Sequence, residues 1–549
     1  MRLLLAISLT ASVQGQALPG VEPRLPEASP VESLPPVRAE GGLSDEGEIL
    51  AQRVNRIILQ STHDDQEVVI GPGVAASESL MVPSPRTLAS RLEAWLDRPL
   101  TTGGLGALAD KVLYHYDSEG FPVVSVDVPE QDLSTGDLKL VLEVGRYGEI
   151  GVSRPKYGKP ELVQQGMFLQ RGDLVNRQEI DRQMEWYGRT GFRRPRLFVS
   201  PGLEPATADM LIAFEERRPW RVTLGYENSG PELLGRDRML LGIAGVTPSE
   251  HLIAWQTVAG MPVSSLLANA LRWEIPFHGI HQVLQIDAAY AEVASRYQVR
   301  GFPIESQGSS WSLGAMQKIP LPDLAGWSQS VGAGIEVKGT DQFLLFGGGS
   351  LSPGQVILFH GKMSHKVERS WEMGGASFES TFVASPGGVG GDNSDAAFKA
   401  YDPEADASYV IARVSGQGWW SPGADWQLRL RGAAQVADSR LLPAEQFAAG
   451  GYQSVRGAGE REYFADGGWQ TSLELHSPLI SPTEGWAFRA LTFFDYATLD
   501  DRGGDSSSLS GAGLGLRMKV TEMFDLRLDH GWRLDESENR SHFGINFTF

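Results

Sequence analysis

The hydrophobic period changes part-way along this chain. From about Arg218 to Phe549, segments of about ten residues alternate apolar with polar, and Gly, Asp, Ser and Pro turns separate them, as strands require. Trp220, Val222, Leu224 and Tyr226 alternate with Arg221, Thr223, Gly225 and Glu227. Leu271, Trp273, Ile275 and Phe277 alternate with Arg272 and Glu274, and Trp426, Leu428 and Leu430 with Gln427, Arg429 and Arg431. Trp469, Thr471, Leu473 and Leu475 stand opposite Ser472 and Glu474, and Phe543, Ile545, Phe547 and Phe549 share one face at the end of the chain. Aromatics mark the ends of apolar faces while charges take the other face. That arrangement suits a transmembrane barrel with lipid outside, water inside and aromatic girdles. A soluble β-sandwich or propeller would also alternate. At roughly 20 residues per strand and connection, residues 218–549 hold about 16 antiparallel strands.

Upstream, helical spacing appears. Residues 49–146 read as a small α+β module of order β-α-α-β-β. "RIILQ" is its first strand, and Ser84 is placed to cap a helix that starts at Pro85 and carries Leu88, Leu92, Trp95 and Leu96. A second helix runs from Leu105 to Tyr116, followed by the strands "PVVSVDV" and "DLKLVLEV". Residues 147–217 repeat the scheme: "GEIGVS", a capping box of Asn176 and Glu179 ahead of Ile180 and Met184, then "RLFVS" and "ADMLIAF". The stretch "STHDDQEVVIGPGVAASESLMVP" lengthens the start of the first module.

The N-terminus sets a compartment. A basic Arg2, an apolar run from Leu3 to Val13 and small residues at the end make residues 1–15 a signal peptide, too short to span a bilayer. A buried N-terminal helix is the alternative, but Pro-rich sequence follows at once. Residues 16–48 have a composition that cannot bury a core and read as a flexible linker. No run of about 18 apolar residues occurs further on, so a membrane protein of this sequence must cross as a closed barrel.

Charge and motifs then narrow the function. With 48 Lys and Arg against 68 Asp and Glu, the net charge of −20 argues against nucleic-acid binding. There is no cysteine, and the ten histidines show no ligand spacing, so no metal site is expected. No phosphate loop, His-Glu-x-x-His or Gly-x-Ser-x-Gly occurs, so neither a cofactor nor a catalytic residue is assigned. "GGVGGDNSDAAF", Gly387 to Phe398, offers carboxylate and amide oxygens but lacks calcium-loop spacing and reads as a mobile external loop. "GAGLGL" at Gly511 has no following helix and reads as a strand facing the lumen.

One segment stands out, "EQFAAGGYQSVRGAGEREYF" from Glu445 to Phe464. It has too many glycines for a strand interior and a lone Arg456. In "WAFRALTFFDYATL", Trp486, Phe488, Phe494 and Tyr496 share one face, which sends Asp495 to the other, into the lumen. A hairpin turning at Gly450, Gly451 and Gly457 could fold inward and bring Arg456 to Asp495. Parity equally allows a solvated loop arginine and a pore-lining aspartate.

Glu445, Gln446, Phe447, Gly450, Gly451, Val455, Arg456 and Gly457 resemble the Glu-Gln-Phe, Gly-Gly and Val-Arg-Gly-Tyr/Phe signature of two-partner secretion transporters (TpsB type). Ala458 stands where that family has an aromatic. Phe493 and Asp495 resemble the partner motif Phe-x-Asp-x-Gly, with Ala497 in place of glycine. Pro129, Gln131 and Asp132 resemble the Val-Pro-x-Gln-Asp-Leu end of the family's first POTRA domain. The resemblance implies two periplasmic POTRA domains, 49–146 and 147–217, ahead of an outer-membrane barrel at 218–549 with an inward-folded hairpin near 445–464. It implies capture of an unfolded, exported partner protein and its passage to the cell surface without ATP. Arg456, Asp495, Val455 and Gly457 would form a latch, and Phe549 an assembly signal read by the barrel assembly machinery. Outer-membrane lipid is the other expected partner. An assembly factor of the same superfamily is the alternative, and a β-rich secreted enzyme a more distant one.

Overall fold

The computed structural model describes residues 22–26, 28, 34, 46–61, 66–299, 302–346, 349–351, 354–504, 506–521 and 523–549. The signal peptide expected at 1–15 and most of the 16–48 linker lie outside them. The chain divides into two compact units: Glu27–Arg217, and Arg218–Phe549 joined by the described residues Glu22–Pro26.

In the first unit, the leading module contains β1 (Ile49–Ala51), β2 (Arg56–Gln60), β3 (Glu67–Gly71), β4 (Val74–Ser77), α1 (Pro85–Leu92), β5 (Leu100–Thr101), α2 (Thr102–Ser118), β6 (Val124–Asp127) and β7 (Asp137–Val144). Its sheet has the order β3-β4-β2-β7-β6, while β1 pairs separately with β5. The lengthened start of the module is therefore the β3–β4 hairpin, which adds two strands to the expected β-α-α-β-β scheme. Because β4 runs parallel along β2, the chain itself covers that edge of the sheet. Ile57, Leu88, Leu108 and Leu140 are fully buried and join both helices to the sheet. Ser84 departs from its expected role. It is left-handed at φ 43° and makes no cap bond, and its hydroxyl donates instead to Glu119 Oε2 at 2.8 Å. Pro85 still opens the helix because its fixed φ suits that position.

The second module contains β8 (Arg146–Val152), α3 (Pro160–Gln165), α4 (Arg177–Gly188), β9 (Arg193–Pro201) and β10 (Thr207–Glu216), with sheet order β8-β10-β9. Asn176 caps α4, accepting from the amides of Gln178 at 2.9 Å and Glu179 at 3.3 Å.

The second unit is a closed barrel of sixteen long antiparallel strands among the described residues, from Trp220–Glu227 to Asn539–Thr548. A short segment, Gly349–Leu351, pairs with the end of the Trp327–Phe346 strand. The first strand closes on the last: Thr223–Glu227 lie against Gly544–Thr548, and Val222 and Phe549 exchange backbone hydrogen bonds of 3.2 and 2.9 Å. Closure satisfies every wall strand laterally, as a bilayer demands. Leu224, Ile243, Leu313, Ile335 and Phe382 point outward and exposed, as a lipid-facing surface requires. Trp220, Trp426 and Trp486 open strands and Trp371 closes one, all at the same end of the barrel, forming an interfacial girdle.

Two expectations need correction. The Pro-rich segment is not wholly a loose linker, because Arg24 lies inside the barrel unit. Its guanidinium donates to Asn546 Oδ1 and lies 3.7 Å from Glu227, and its carbonyl accepts from Arg221 at 3.0 Å. Nor is Gly387 to Phe398 a mobile loop. Asn393 donates to the Ile357 carbonyl at 2.9 Å, and Ser394 caps a short helix, α5 (Asp395–Tyr401). Phe398 of that helix is buried against Val356, Val383, Tyr409, Leu441 and Leu442.

Deleting Phe549 removes both hydrogen bonds that extend the closing ladder beyond Thr548. The expected outcome is a several-fold smaller fraction of compact, heat-modifiable protein on unboiled gels of outer membranes.

Candidate functional site

The segment after the Trp426–Ala437 strand turns back into the barrel as a hairpin. Its legs are Phe447–Ala449 and Tyr463–Ala465, paired antiparallel. Glycines make the turn possible: Gly450, Gly451 and Gly457 have φ of 108°, 89° and 107°, a region that side chains with a Cβ rarely adopt. At Gly451 a Cβ would stand 2.1 Å from the Glu460 carboxylate, so the residue is also required sterically.

Arg456 sits at the tip and is fully buried. Its Nε and one terminal nitrogen donate to the two oxygens of Asp495, each at 2.8 Å, and its backbone amide donates to Asp495 Oδ2 at 3.0 Å. The same guanidinium donates to Glu474 at 2.7 Å and to the Ser472 hydroxyl at 3.0 Å, and Asp529 lies 3.7 Å away. The Phe493 ring lies beneath it, 3.5 Å from centroid to guanidinium carbon. One cation thus joins carboxylates from three wall strands: Gly467–His476, Trp486–Asp500 and Phe524–Arg533. Burial alone would lower the pKa of Arg456, but hydrogen bonding to Asp495 and the surrounding carboxylates raise it above its ordinary value. Removing the cation would strand the Asp495 carboxylate, which has no other ion-pair partner among the described residues, a loss on the order of 3–5 kcal/mol.

The wall is notched to admit the tip. A Cβ at Gly511 would stand 2.3 Å from the Arg456 carbonyl oxygen, and one at Gly531 would stand 2.6 Å from its carbonyl carbon. Val455 and Ala458 are buried beside Phe447, Ala449, Ala497, Leu499 and Leu509 in one apolar cluster. At the root, Gln446 donates to Asp466 at 3.5 Å, and Glu445 is held by Lys338 and Arg413 at 2.7 Å each.

The structure therefore brings Arg456, Asp495, Val455 and Gly457 together, and Glu445, Gln446 and Phe447 secure the legs. Sequence reasoning named Phe493 only through the partner motif, and missed Ser472, Glu474 and Asp529 as partners and Gly511 and Gly531 as the notch. Parity had set Ser472 and Glu474 on the polar face, and Leu526 and Leu528 alternating with Asp525, Arg527 and Asp529 carried the signal for the third carboxylate.

Pro129, Gln131 and Asp132 stand apart from this site, in the other unit, and are local. Gln131 donates to the Lys139 carbonyl at 2.8 Å and accepts from its amide at 2.7 Å, while Asp132 accepts from the Ser134 amide at 2.9 Å. They fix the β6–β7 turn.

Comparison with known proteins bears on the fold and on two segments of the chain. Residues 362–518 match the family model for the haemolysin secretion/activation protein ShlB/FhaC/HecB, and residues 78–145 match the ShlB-type POTRA domain. The β3–β4 hairpin lies ahead of the second match. The outer membrane transporter CdiB-2 of Burkholderia pseudomallei (strain 1026b) is 28% identical over 122 residues, 22% of this chain and 20% of that protein. The outer membrane transporter CdiB of Escherichia coli O6:K15:H31 (strain 536 / UPEC) is 30% identical over 152 residues, 26% of this chain and 24% of that protein. The alignments thus span about a fifth to a quarter of these relatives. The solved structure of CdiB from Escherichia coli superposes with a TM-score of 0.72 at 17% identity over 94% of each chain. CdiB from Acinetobacter baumannii gives 0.63 at 15% identity over 100% of this chain and 97% of its own. These last two matches establish the barrel and POTRA fold. Residues 78–145 are thus similar to a ShlB-type POTRA domain and residues 362–518 to the haemolysin secretion/activation family, within a fold shared with the two solved transporters.

Two outcomes follow from the packing of the tip. Gly511→Ala should expel it and expose Arg456 to trypsin in the detergent-solubilised barrel, read by mapping the cleavage site. Glu460 is buried in the hairpin, where desolvation outweighs Arg238 and Arg461 and pushes its carboxyl from 4.5 up to about 7. The folded state therefore holds a proton that the unfolded chain releases near 4.5. The penalty is absent below that pH, grows as pH rises to about 7 and is complete above it. Glu460→Gln should raise the temperature of barrel unfolding at pH 8 and leave it unchanged at pH 4.

Proposed function

We propose that this chain is a protein transporter that captures an unfolded, exported partner through its POTRA modules and passes it through the barrel to the cell surface. The observation that carries the reading is the hairpin itself. A glycine-rich segment lies inside a barrel wide enough for sixteen strands, held there by ionic and hydrogen-bonded contacts rather than by continuity with the wall. Such contacts can exchange for others, so the Arg456–Asp495 pair acts as a latch with an engaged and a released state.

The POTRA sheets supply a means of capture. β6 and β9 are outer strands of their sheets, and an extended partner segment can add to such an edge through main-chain hydrogen bonds. On the face of the second sheet, Phe198 and Leu211 lie opposite each other in register and exposed, which gives an added strand apolar side chains to meet. The sequence holds no phosphate loop, so passage draws on the partner rather than on ATP, with folding outside the cell as the source of direction.

Arg456→Ala should reduce surface release of the partner at least about tenfold while the barrel remains heat-modifiable, and Arg456→Lys, which keeps the charge but loses the planar fork, should fall between. Full export by well-inserted Arg456→Ala protein would reject the latch. Release is measured by immunoblot of culture medium against outer-membrane content of the barrel.

A further inference from the structure

The hairpin is pinned at its root as well as its tip, by residues that share nothing with Arg456. Glu445 precedes the first leg and its side chain is 1% exposed. Lys338 donates to Oε1 and Arg413 to Oε2, each at 2.7 Å. Gln435 donates to the Glu445 carbonyl at 2.8 Å and accepts from Arg413 Nε at 2.8 Å, so the backbone at the root is held together with the carboxylate. Lys338 lies on the Trp327–Phe346 strand and Arg413 on Ser408–Gly423, with two other wall strands between them. Among the described residues, neither strand supplies a hydrogen-bond or ion-pair partner to Arg456. Burial by itself would push the Glu445 carboxyl up, and the two cations hold it instead well below the usual carboxylate range.

We infer that Glu445 is a root clasp: Lys338 and Arg413 keep the hairpin legs in the lumen whether or not Arg456 is engaged, so that only the tip swings when the latch opens. Glu445 acts as a positioning residue. Its carboxylate spans two strands on one side of the lumen, while Arg456 spans three on another, and the two sets of charges have no member in common; Lys338 has a second carboxylate in Glu336, 3.3 Å away. Breaking one therefore leaves no unpaired charge in the other, and the two ends can open separately. The consequence for transport, a lumen narrowed permanently at the root and variably at the tip, rests on the transport reading above.

The chain has no cysteine, so single introduced cysteines report each end without background. Ala449 in the first leg and Ala458 at the tip are both fully buried. Ala449→Cys and Ala458→Cys are placed one at a time in the full-length protein, and labelling by a membrane-impermeant maleimide is timed in outer membranes. In the Glu445→Gln background, labelling at position 449 should quicken about tenfold or more, the signature of local opening. In the Arg456→Ala background, labelling at 458 should quicken by the same order while 449 changes less than about twofold. Adding Lys338→Gln to Glu445→Gln should change 449 no further, because Lys338 acts through that carboxylate. Protection of 449 in Glu445→Gln, or exposure of 449 by Arg456→Ala alone, overturns the clasp. If Glu445→Gln does not assemble, Lys338→Gln leaves Arg413 on the carboxylate and should still expose 449 measurably, and unchanged protection there also overturns it. Partner release is scored on the same strains. Loss of release without the labelling pattern rejects the clasp and leaves transport standing, whereas the labelling pattern with undiminished release retains the clasp and rejects its place in transport.

Discussion

Burying a single guanidinium inside the barrel dictates most of what surrounds it. An arginine taken out of water costs several kcal/mol unless its donors all find acceptors in good geometry. Arg456 meets that demand with both oxygens of Asp495, with Glu474 and with Ser472, and places its remaining face over Phe493. The planar fork of donors is what allows one side chain to brace separate strands, which a lysine could not do. The backbone must then come close enough for the amide of Arg456 to reach the same aspartate, and this fixes glycine at three further places. Gly457 supplies the left-handed turn, and Gly511 and Gly531 remove the side chains that would collide with the Arg456 carbonyl group. Carboxylates, glycines and ring form one device distributed over four wall strands and a loop.

How much of this the sequence shows depends on the range of the interaction. Alternation is local, so the strands and their lipid-facing sides could be read directly from runs such as Trp220 to Tyr226, and parity alone sent Asp495 inward. The Val-Arg-Gly hairpin was legible through its glycines and its family resemblance. The other partners were not, because which residues of Gly467–His476 and Phe524–Arg533 stand level with Asp495 depends on strand register, and a period-2 pattern carries no register between segments tens of residues apart. The same limit hid Gly531. Local chemistry misled in two cases. Ser84 has the composition of a helix cap but points its hydroxyl to Glu119 in a left-handed conformation. The glycines and polar residues of Gly387 to Phe398 suggest a loose loop, yet Asn393 and Phe398 tie it to a buried apolar cluster. The β3–β4 hairpin was visible only as extra length, since its pairing with β2 is a tertiary fact.

The two departures from the family signature have a shared physical setting. Ala458 takes the place of an aromatic ring at the hairpin tip and Ala497 the place of a glycine on the facing strand, and both are fully buried in one cluster with Phe447, Ala449, Val455, Leu499 and Leu509. A methyl group on the wall and a smaller residue on the hairpin change the volume at this contact in opposite directions. Close-packed interiors tolerate changes best when total volume is conserved, so the paired substitutions are easier to accommodate than either alone. Neither alters the charged contacts of Arg456, which lie on the polar side of the same hairpin.

Two segments outside the wall strands, the hairpin and the residues around Arg24, bond to the barrel wall, and they differ in what their departure would leave behind. The N-terminal segment meets the wall through Arg24 at Glu227, but that carboxylate is also held by Arg238 and Arg527 at 2.6 Å each. Withdrawing Arg24 leaves Glu227 paired twice over, and Arg24 itself returns to water, where a guanidinium is well solvated. Withdrawing Arg456 leaves Asp495 with no other cation within ion-pair distance among the described residues, while Glu474 keeps its hydrogen bond with His476 and Asp529 keeps Arg517. A buried carboxylate without a partner is far more costly than a lost third partner. On electrostatic grounds the N-terminal segment is therefore the readily displaced occupant. The hairpin tip needs either a replacement cation at Asp495 or water admitted to that face of the lumen before it can leave.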